Sequence, residues 1–294
     1  MIMLGLLFSI PYSFAQVNVG AKSIQNVTIT IDESGTVHVI HTVLGSNKLL
    51  QVETYNGTMT NLSVTGRDGK SVEYLTMEKA PPAIIIPPSS RNMTLIKYDL
   101  VNVVTQTDGV WKWNFVTPPN TDYTDVNLPK NIDTVWVNDR PVYIGDKGIR
   151  HHGDSMRLEY VISEPDVLKE VDWENKKFTV AIKTLAKVDT FDFSQAEKSF
   201  SFHTDKKNSL TTVVMPLELL WEPYEIKINN VNKTLTNVFH NNGTHAWIGF
   251  RPQISGTVHI IGTTVIPEFP LFVPLALAIS AVIVLQFKNR LIFR

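Results

Sequence analysis

The run Arg150-His151-His152-Gly153-Asp154 brings two imidazoles and a carboxylate together within four residues. Neutral imidazole nitrogen and carboxylate oxygen suit a zinc or copper ion, which needs three or four such ligands. Successive side chains of an extended chain point to opposite faces, so His151 and Asp154 converge only if Gly153 bends the backbone. The missing ligands would have to come from His38, His41, His203, His240, His245 or His259, and sequence order does not choose among them. A polar turn with solvated histidines is written with the same letters.

Two other groups could do chemistry. Glu218, Glu222 and Glu225 surround Trp221. Paired carboxylates about 5 to 9 Å apart across a cleft hydrolyse glycosides, so this region is a candidate for an envelope glycan hydrolase, with a solvated acidic rim as the plainer reading. Trp111, Trp113 and Phe115 alternate with Lys112 and Asn114, which puts three aromatic rings on one face of a strand. Such a face could stack a glycan, or it could be core. Cysteine is absent, which removes thiol catalysis, thiol redox chemistry and cysteine-bound metals. There is no G-x-S-x-G, phosphate-binding glycine loop or H-E-x-x-H. No catalytic residue is predicted, and no cofactor beyond the candidate metal ion.

These groups lie in a body that reads as strands almost throughout. Ile24–Ile31, Thr36–Val43, Met93–Val104, Val110–Val116, Met156–Ile162, Phe178–Leu185, Ser199–His203 and Thr257–Val265 are short, alternating and rich in β-branched or aromatic residues. Glu33-Ser34-Gly35, Arg67-Asp68-Gly69 and Asn138-Asp139 supply turn chemistry between them. Helical signal is confined to Asp166–Trp173 and Leu217–Trp221, a turn or two each. Prolines 118, 119 and 129 among Asn, Asp and Thr suggest a boundary near Thr117–Pro129. The expected architecture is all-β: two tandem β-sandwich (Ig-like) domains over 16–120 and 125–265, with one C-terminal transmembrane helix.

Both ends are apolar. Residues 1–15 carry no charge and finish on Ser13 and Ala15, as a signal peptide cleaved before Gln16 would. Leu271–Phe287 is uncharged and just long enough to span a bilayer as a helix, and Lys288, Arg290 and Arg294 behind it predict a cytoplasmic C-terminus. The body would then be extracellular and the chain single-pass in the cell membrane. With the tail's cations set apart, the body is mildly acidic and has no basic tract, so nucleic acid is not an expected partner. Six N-x-S/T sequons, at Asn26, Asn56, Asn61, Asn92, Asn232 and Asn242, are glycosylation candidates on such an exterior.

Pro267-Glu268-Phe269, a hydrophobic segment and then basic residues resemble the PEF-type sorting tails of archaeal surface proteins. That resemblance implies a membrane anchor over 266–294, either retained or cleaved near Pro267 with transfer to lipid. Pro270 stands where many such tails carry glycine. The stretch Val135-Trp136-Val137-Asn138-Asp139-Arg140-Pro141-Val142, the Gly153 turn, Leu158-Glu159-Tyr160, Pro216–Trp221 and Asn242-Gly243-Thr244 are similar to uncharacterised surface proteins of ammonia-oxidising archaea, over a little more than half the chain. Cysteines often stand in those proteins where His151 and Asp154 stand here. The resemblance brings no enzymatic role. An anchored sandwich body without a nucleophile–base signature is expected to be a non-catalytic envelope protein, structural or binding, with the membrane and envelope proteins or glycans as partners. A metal-binding surface protein and a glycan hydrolase are the alternatives.

Overall fold

The computed structural model describes residues 21–262, apart from 79, 80, 90, 91, 146, 174, 230, 231, 236 and 237, together with Ser280. The expected signal peptide over 1–15, the candidate sorting motif at Pro267, Glu268 and Phe269, and the cations Lys288, Arg290 and Arg294 lie outside the described residues. Every regular element between 21 and 262 is a strand, and the strands form five sheets. Among the described residues no helix is long and apolar enough to cross a membrane.

The chain divides into two compact units, Met1–Ser163 and Glu164–Arg294. In the first, a six-stranded sheet runs in the order Ile149–His151, Thr121–Asn127, Gln25–Ile31, Val37–Leu44, Met93–Val101, Thr58–Gly66. A four-stranded sheet is ordered Ala21–Lys22, Leu50–Glu53, Ala83–Ile86, Leu75–Met77. A five-stranded sheet is ordered Arg140–Tyr143, Thr134–Val137, Ser155–Tyr160, Val110–Val116, Thr105–Thr107. The inward positions of all three meet in one apolar cluster that includes Val27, Val39, Val52, Ile86, Ile96 and Leu158. Period-two alternation drives this arrangement: in Gln25–Ile31 every second residue is buried, and a slip of one residue would turn that set to solvent.

The second unit has two five-stranded sheets. One is ordered Asp166–Trp173, Lys176–Thr184, Thr211–Pro216, His245–Phe250, Val238–Asn241, and the other Val188–Ser194, Ser199–Thr204, Gly256–Ile261, Glu225–Ile228, Asn232–Leu235. Both contribute to a second cluster, with Val180, Ile182, Val213 and Ile248 from one sheet and Phe202, Ile226, Val258 and Ile260 from the other.

Three sequence expectations change. The stretch Thr117–Pro129 is not a boundary. Thr121–Asn127 lies inside the first unit as a strand parallel to Gln25–Ile31, with Val126 opposite Ile29, and the division falls after Ser163. Its prolines end strands at Val116 and Asn127 without ending a unit. Asp166–Trp173 is a strand, because eight consecutive pairs with Lys176–Thr184 outweigh its weak helical preference. Leu217–Leu220 is a turn, closed by Leu219 N–H and Leu220 N–H donating to Pro216 O.

The turns follow their chemistry. Asn138 and Asp139 both take positive φ (49° and 65°) between paired Val137 and Arg140, the primed turn that fits strand twist. Gly35 closes the first hairpin at φ 82°, and a Cβ there would lie 2.6 Å from Cζ3 of Trp111. Gly69 has a similar φ of 78°, and a Cβ there would meet nothing within 4 Å. The pair separates backbone strain from ring overlap. Gly69→Ala is expected to cost about 1 kcal/mol, the left-handed penalty alone. Gly35→Ala is expected to cost roughly 1–3 kcal/mol more, since Trp111 is held by its own packing. Urea unfolding of the two variants checks this, and equal losses would show that Trp111 yields freely.

Candidate functional site

A buried polar constellation surrounds His41, the fully buried middle of Val37–Leu44. Gln25 Nε2 donates to Glu53 O (3.4 Å), which turns Oε1 of the same amide toward His41 Nδ1 at 2.6 Å. Nδ1 must therefore carry the proton. His41 Nε2, 2.8 Å from Tyr98 Oη, accepts the tyrosine hydroxyl, and Tyr98 Oη in turn accepts Tyr55 N–H at 3.2 Å. Tyr55 Oη and Thr124 Oγ1 are 2.9 Å apart. Burial lowers His41 to a pKa of about 3, so the imidazole is neutral at any ordinary pH. Burial likewise pushes Tyr55 up to about 12 and raises Tyr98. These groups are locked in one protonation state, the opposite of a poised acid or base.

Aromatic rings pack around this chain. Trp113 and Phe115 are 3% and 7% exposed; their centroids lie 6.1 and 5.5 Å from Tyr55 and 4.3 Å from each other. Trp111, half-buried, stacks on Tyr160 at 6.4 Å with 7° between planes. Of the two readings of Trp111, Trp113 and Phe115, glycan platform or core, the packing fits core: Trp113 and Phe115 are buried among other rings and Trp111 stacks on Tyr160.

The 150–154 turn separates its histidines, as period two requires. His151, paired with Thr124, sets its ring edge-on to Phe115 at 6.2 Å, and burial is the main cause of its lowered pKa. Gly153 passes so close that a Cβ there would lie 2.6 Å from His151 Cε1, which is the local reason for glycine. His152 is exposed and its Nδ1 lies 3.1 Å from Asp122 O. Asp154 is exposed, and its carbonyl accepts Thr117 N–H at 2.6 Å. Arg150 forms a two-pronged pair with Asp125 (2.7 and 2.8 Å) and lies 4.1 Å over the Tyr123 ring. The guanidinium holds Asp125 below the usual carboxylate range. Among the described residues no group of three or more His, Asp or Glu is arranged to hold a metal ion.

A surface cluster escaped the sequence reading. His38 Nδ1 lies 2.6 Å from Asp99 Oδ1 and Nε2 3.5 Å from Asp32 Oδ2. Asp99 Oδ2 accepts Asn61 Nδ2 at 2.7 Å. Asp32 Oδ1 accepts Ser34 N–H, Ser34 Oγ–H and Thr36 N–H. Burial alone would raise Asp32, but these bonds hold its pKa down, and Asn61 is the main cause of the lowered Asp99. Asp99 is 61 residues from His38 and joins it only through the pairing of Val37–Leu44 with Met93–Val101, so no local signal could have found it.

The acidic residues around Trp221 are each engaged separately. Glu218 pairs with Lys176 at 3.1 Å, Glu225 with Lys227 at 3.4 Å, and Glu222 accepts Asn241 Nδ2 at 3.3 Å. Three cavities of about 380, 510 and 540 Å³ open on the first unit, and none of these is lined by the 150–154 turn or by Glu218, Glu222 or Glu225.

No protein-family model matches the chain, and no curated protein matches it. A solved structure of an aminopeptidase N family protein from Idiomarina loihiensis is similar over 53% of this chain and 32% of that one, at 11% identity and a TM-score of 0.35. The chain thus spans about a third of that protein's length, and a likeness of this degree carries no argument about activity.

His41 gives the pH dependence its sign. Its folded pKa of about 3 lies below the ordinary 6.5, so the unfolded chain takes up a proton that the folded chain refuses. The stability it supports is complete above 6.5 and is lost as pH falls from there toward 3. Between about pH 6 and pH 5 the unfolding free energy should fall by up to about 1.4 kcal/mol per unit from this group, with a further contribution of the same sign from His151. His41→Gln should flatten the larger part of that slope in urea titrations at each pH; an unchanged slope would refute the assignment. Tyr98→Phe leaves His41 Nε2 and Tyr55 N–H without partners and should cost about 2–4 kcal/mol.

Proposed function

We propose that this chain is a non-catalytic protein of the cell exterior, of the archaeal surface type with a PEF-like tail. Two tandem β-sandwich units of Ig-like kind would be tethered to the membrane by one C-terminal helix and hold neighbouring envelope proteins or glycans. The facing inner positions of the second unit's two sheets support the sandwich reading.

The observation that carries the anchored role is how near in sequence the packed residue Gly262 lies to the uncharged stretch. Gly262 N–H donates to Lys198 O at 2.9 Å, and a Cβ on Gly262 would lie 2.6 Å from Leu220 Cγ and Trp221 O. The chain is therefore held against the second unit up to Gly262, and only residues 263–270 separate it from the uncharged stretch Leu271–Phe287 and the cations behind it. Even fully extended, that connection reaches no more than about 30 Å, so an anchored body would be kept beside the bilayer. The non-catalytic part of the reading is supported by the way the histidines and carboxylates described above serve structure: buried and neutral, or paired to hold turns and strands.

Alkaline carbonate extraction of cells making the full chain should leave it in the membrane pellet, and external protease should digest the body in intact cells. Deletion of residues 266–294 should move the protein to the soluble fraction. Full chain recovered as a soluble cytosolic protein would overturn the proposal.

A further inference from the structure

The six sequons are chemically alike in sequence and unlike in the fold. Asn26 lies half-buried in an interior strand with Oδ1 buried and unpartnered. Asn61 offers its Nδ2, the atom a glycan would occupy, to Asp99 at 2.7 Å. Asn92 is exposed, but the hydroxyl residue of its sequon, Thr94, is 2% exposed. Asn56 is exposed with no described hydrogen bond fixing its amide. The side chain of Asn232 is outside the described residues.

Asn242 differs from all of these. It stands, exposed, at the turn between Val238–Asn241 and His245–Phe250. Its Oδ1 accepts Thr244 N–H (3.0 Å), Thr244 Oγ–H (3.0 Å) and His245 N–H (2.8 Å). Its own N–H donates to His245 O at 3.2 Å, and Gly243 N–H donates to Asn241 Oδ1 at 2.8 Å, so the turn is braced on both sides. Asn side chains that cap their own turn in this way are rigid. All three of these side-chain bonds are made by the carbonyl end, and the residue is exposed. The sequon hydroxyl is presented on the same turn, and a Cβ on Gly243 would meet nothing within 4 Å.

We propose that Asn242 is an N-glycan acceptor of the folded chain, preferred over Asn26 and Asn61. The donor class is an oligosaccharide carried on a lipid-linked diphosphate. The step forms the bond from Asn242 Nδ2 to the anomeric carbon and breaks the anomeric carbon–phosphate oxygen bond. The lipid diphosphate leaves with the electron pair, and Nδ2 gives up one proton to a base of the transferase. In the cell this rests on the exported reading above, whereas the following test does not, so the two can fail separately.

Unglycosylated full chain in detergent is incubated with a single-subunit oligosaccharyltransferase and its lipid-diphosphate saccharide, under conditions where a short Asn-Gly-Thr peptide is turned over. Site occupancy is followed with time by peptide mass spectrometry. Asn242 should be modified at least about tenfold faster than Asn61 or Asn26, whose amides need local opening first. Thr244→Ala should abolish modification at Asn242, and Thr244→Ser should retain it. An Asn242 that stays unmodified in the folded chain while reacting after unfolding in urea, or equal rates at Asn61, would overturn the proposal.

Discussion

One chain of hydrogen bonds fixes how the three sheets of the first unit meet. It runs from Tyr55 N–H to Tyr98 Oη, from Tyr98 O–H to His41 Nε2, from His41 Nδ1–H to Gln25 Oε1 and from Gln25 Nε2–H to Glu53 O. Each link sets the direction of the next, so only one histidine tautomer satisfies all of them. Gln25, His41 and Tyr98 belong to the six-stranded sheet, and Glu53 ends a strand of the four-stranded one. Tyr55 follows two residues after Glu53, and its ring meets Trp113 and Phe115 of the five-stranded sheet. Buried polar chains of this kind are costly when one member is missing and specify a single arrangement when all are present. Apolar alternation sets the register of each strand, and the His41 chain adds directional bonds that tie the six-stranded sheet to the four-stranded one.

The same constraint limits what the molecule can do. A histidine that must remain neutral and doubly bonded cannot shuttle protons. His151 is turned edge-on to Phe115, while His152 lies beside the Asp122 carbonyl. The exposed pairs, such as Lys176 with Glu218 and Arg150 with Asp125, are of the kind worth at most about 1 kcal/mol each, and they arrange strand ends more than they stabilise them.

Much of the fold could be read from residue order. Alternation located the strands around Gln25–Ile31, Val37–Leu44 and Val110–Val116 closely, and Asn138-Asp139 forms the tight turn its composition demands. Local signals failed where distant partners decide. Asp166–Trp173 is a strand because Lys176–Thr184 lies beside it, and Thr121–Asn127 joins the first unit because Gln25–Ile31 accepts it in parallel. The role of His41 was equally hidden: its two partners are 16 and 57 residues away, and nothing in their spacing marks them as neighbours. The aromatic alternation at Trp111–Phe115 fits core and binding platform equally well until the rings that cover it are known.

At the junction of the sheets, His41 is a neutral imidazole with its proton on Nδ1. Long-range proton–nitrogen NMR of the folded chain reads this directly. The expected result is one His41 signal set with Nδ1 bearing the proton and Nε2 unprotonated, unchanged from about pH 7 down to about pH 4.5. A His41 that takes up a proton within that range, or carries its proton on Nε2, would contradict the hydrogen-bond chain and the arrangement built on it.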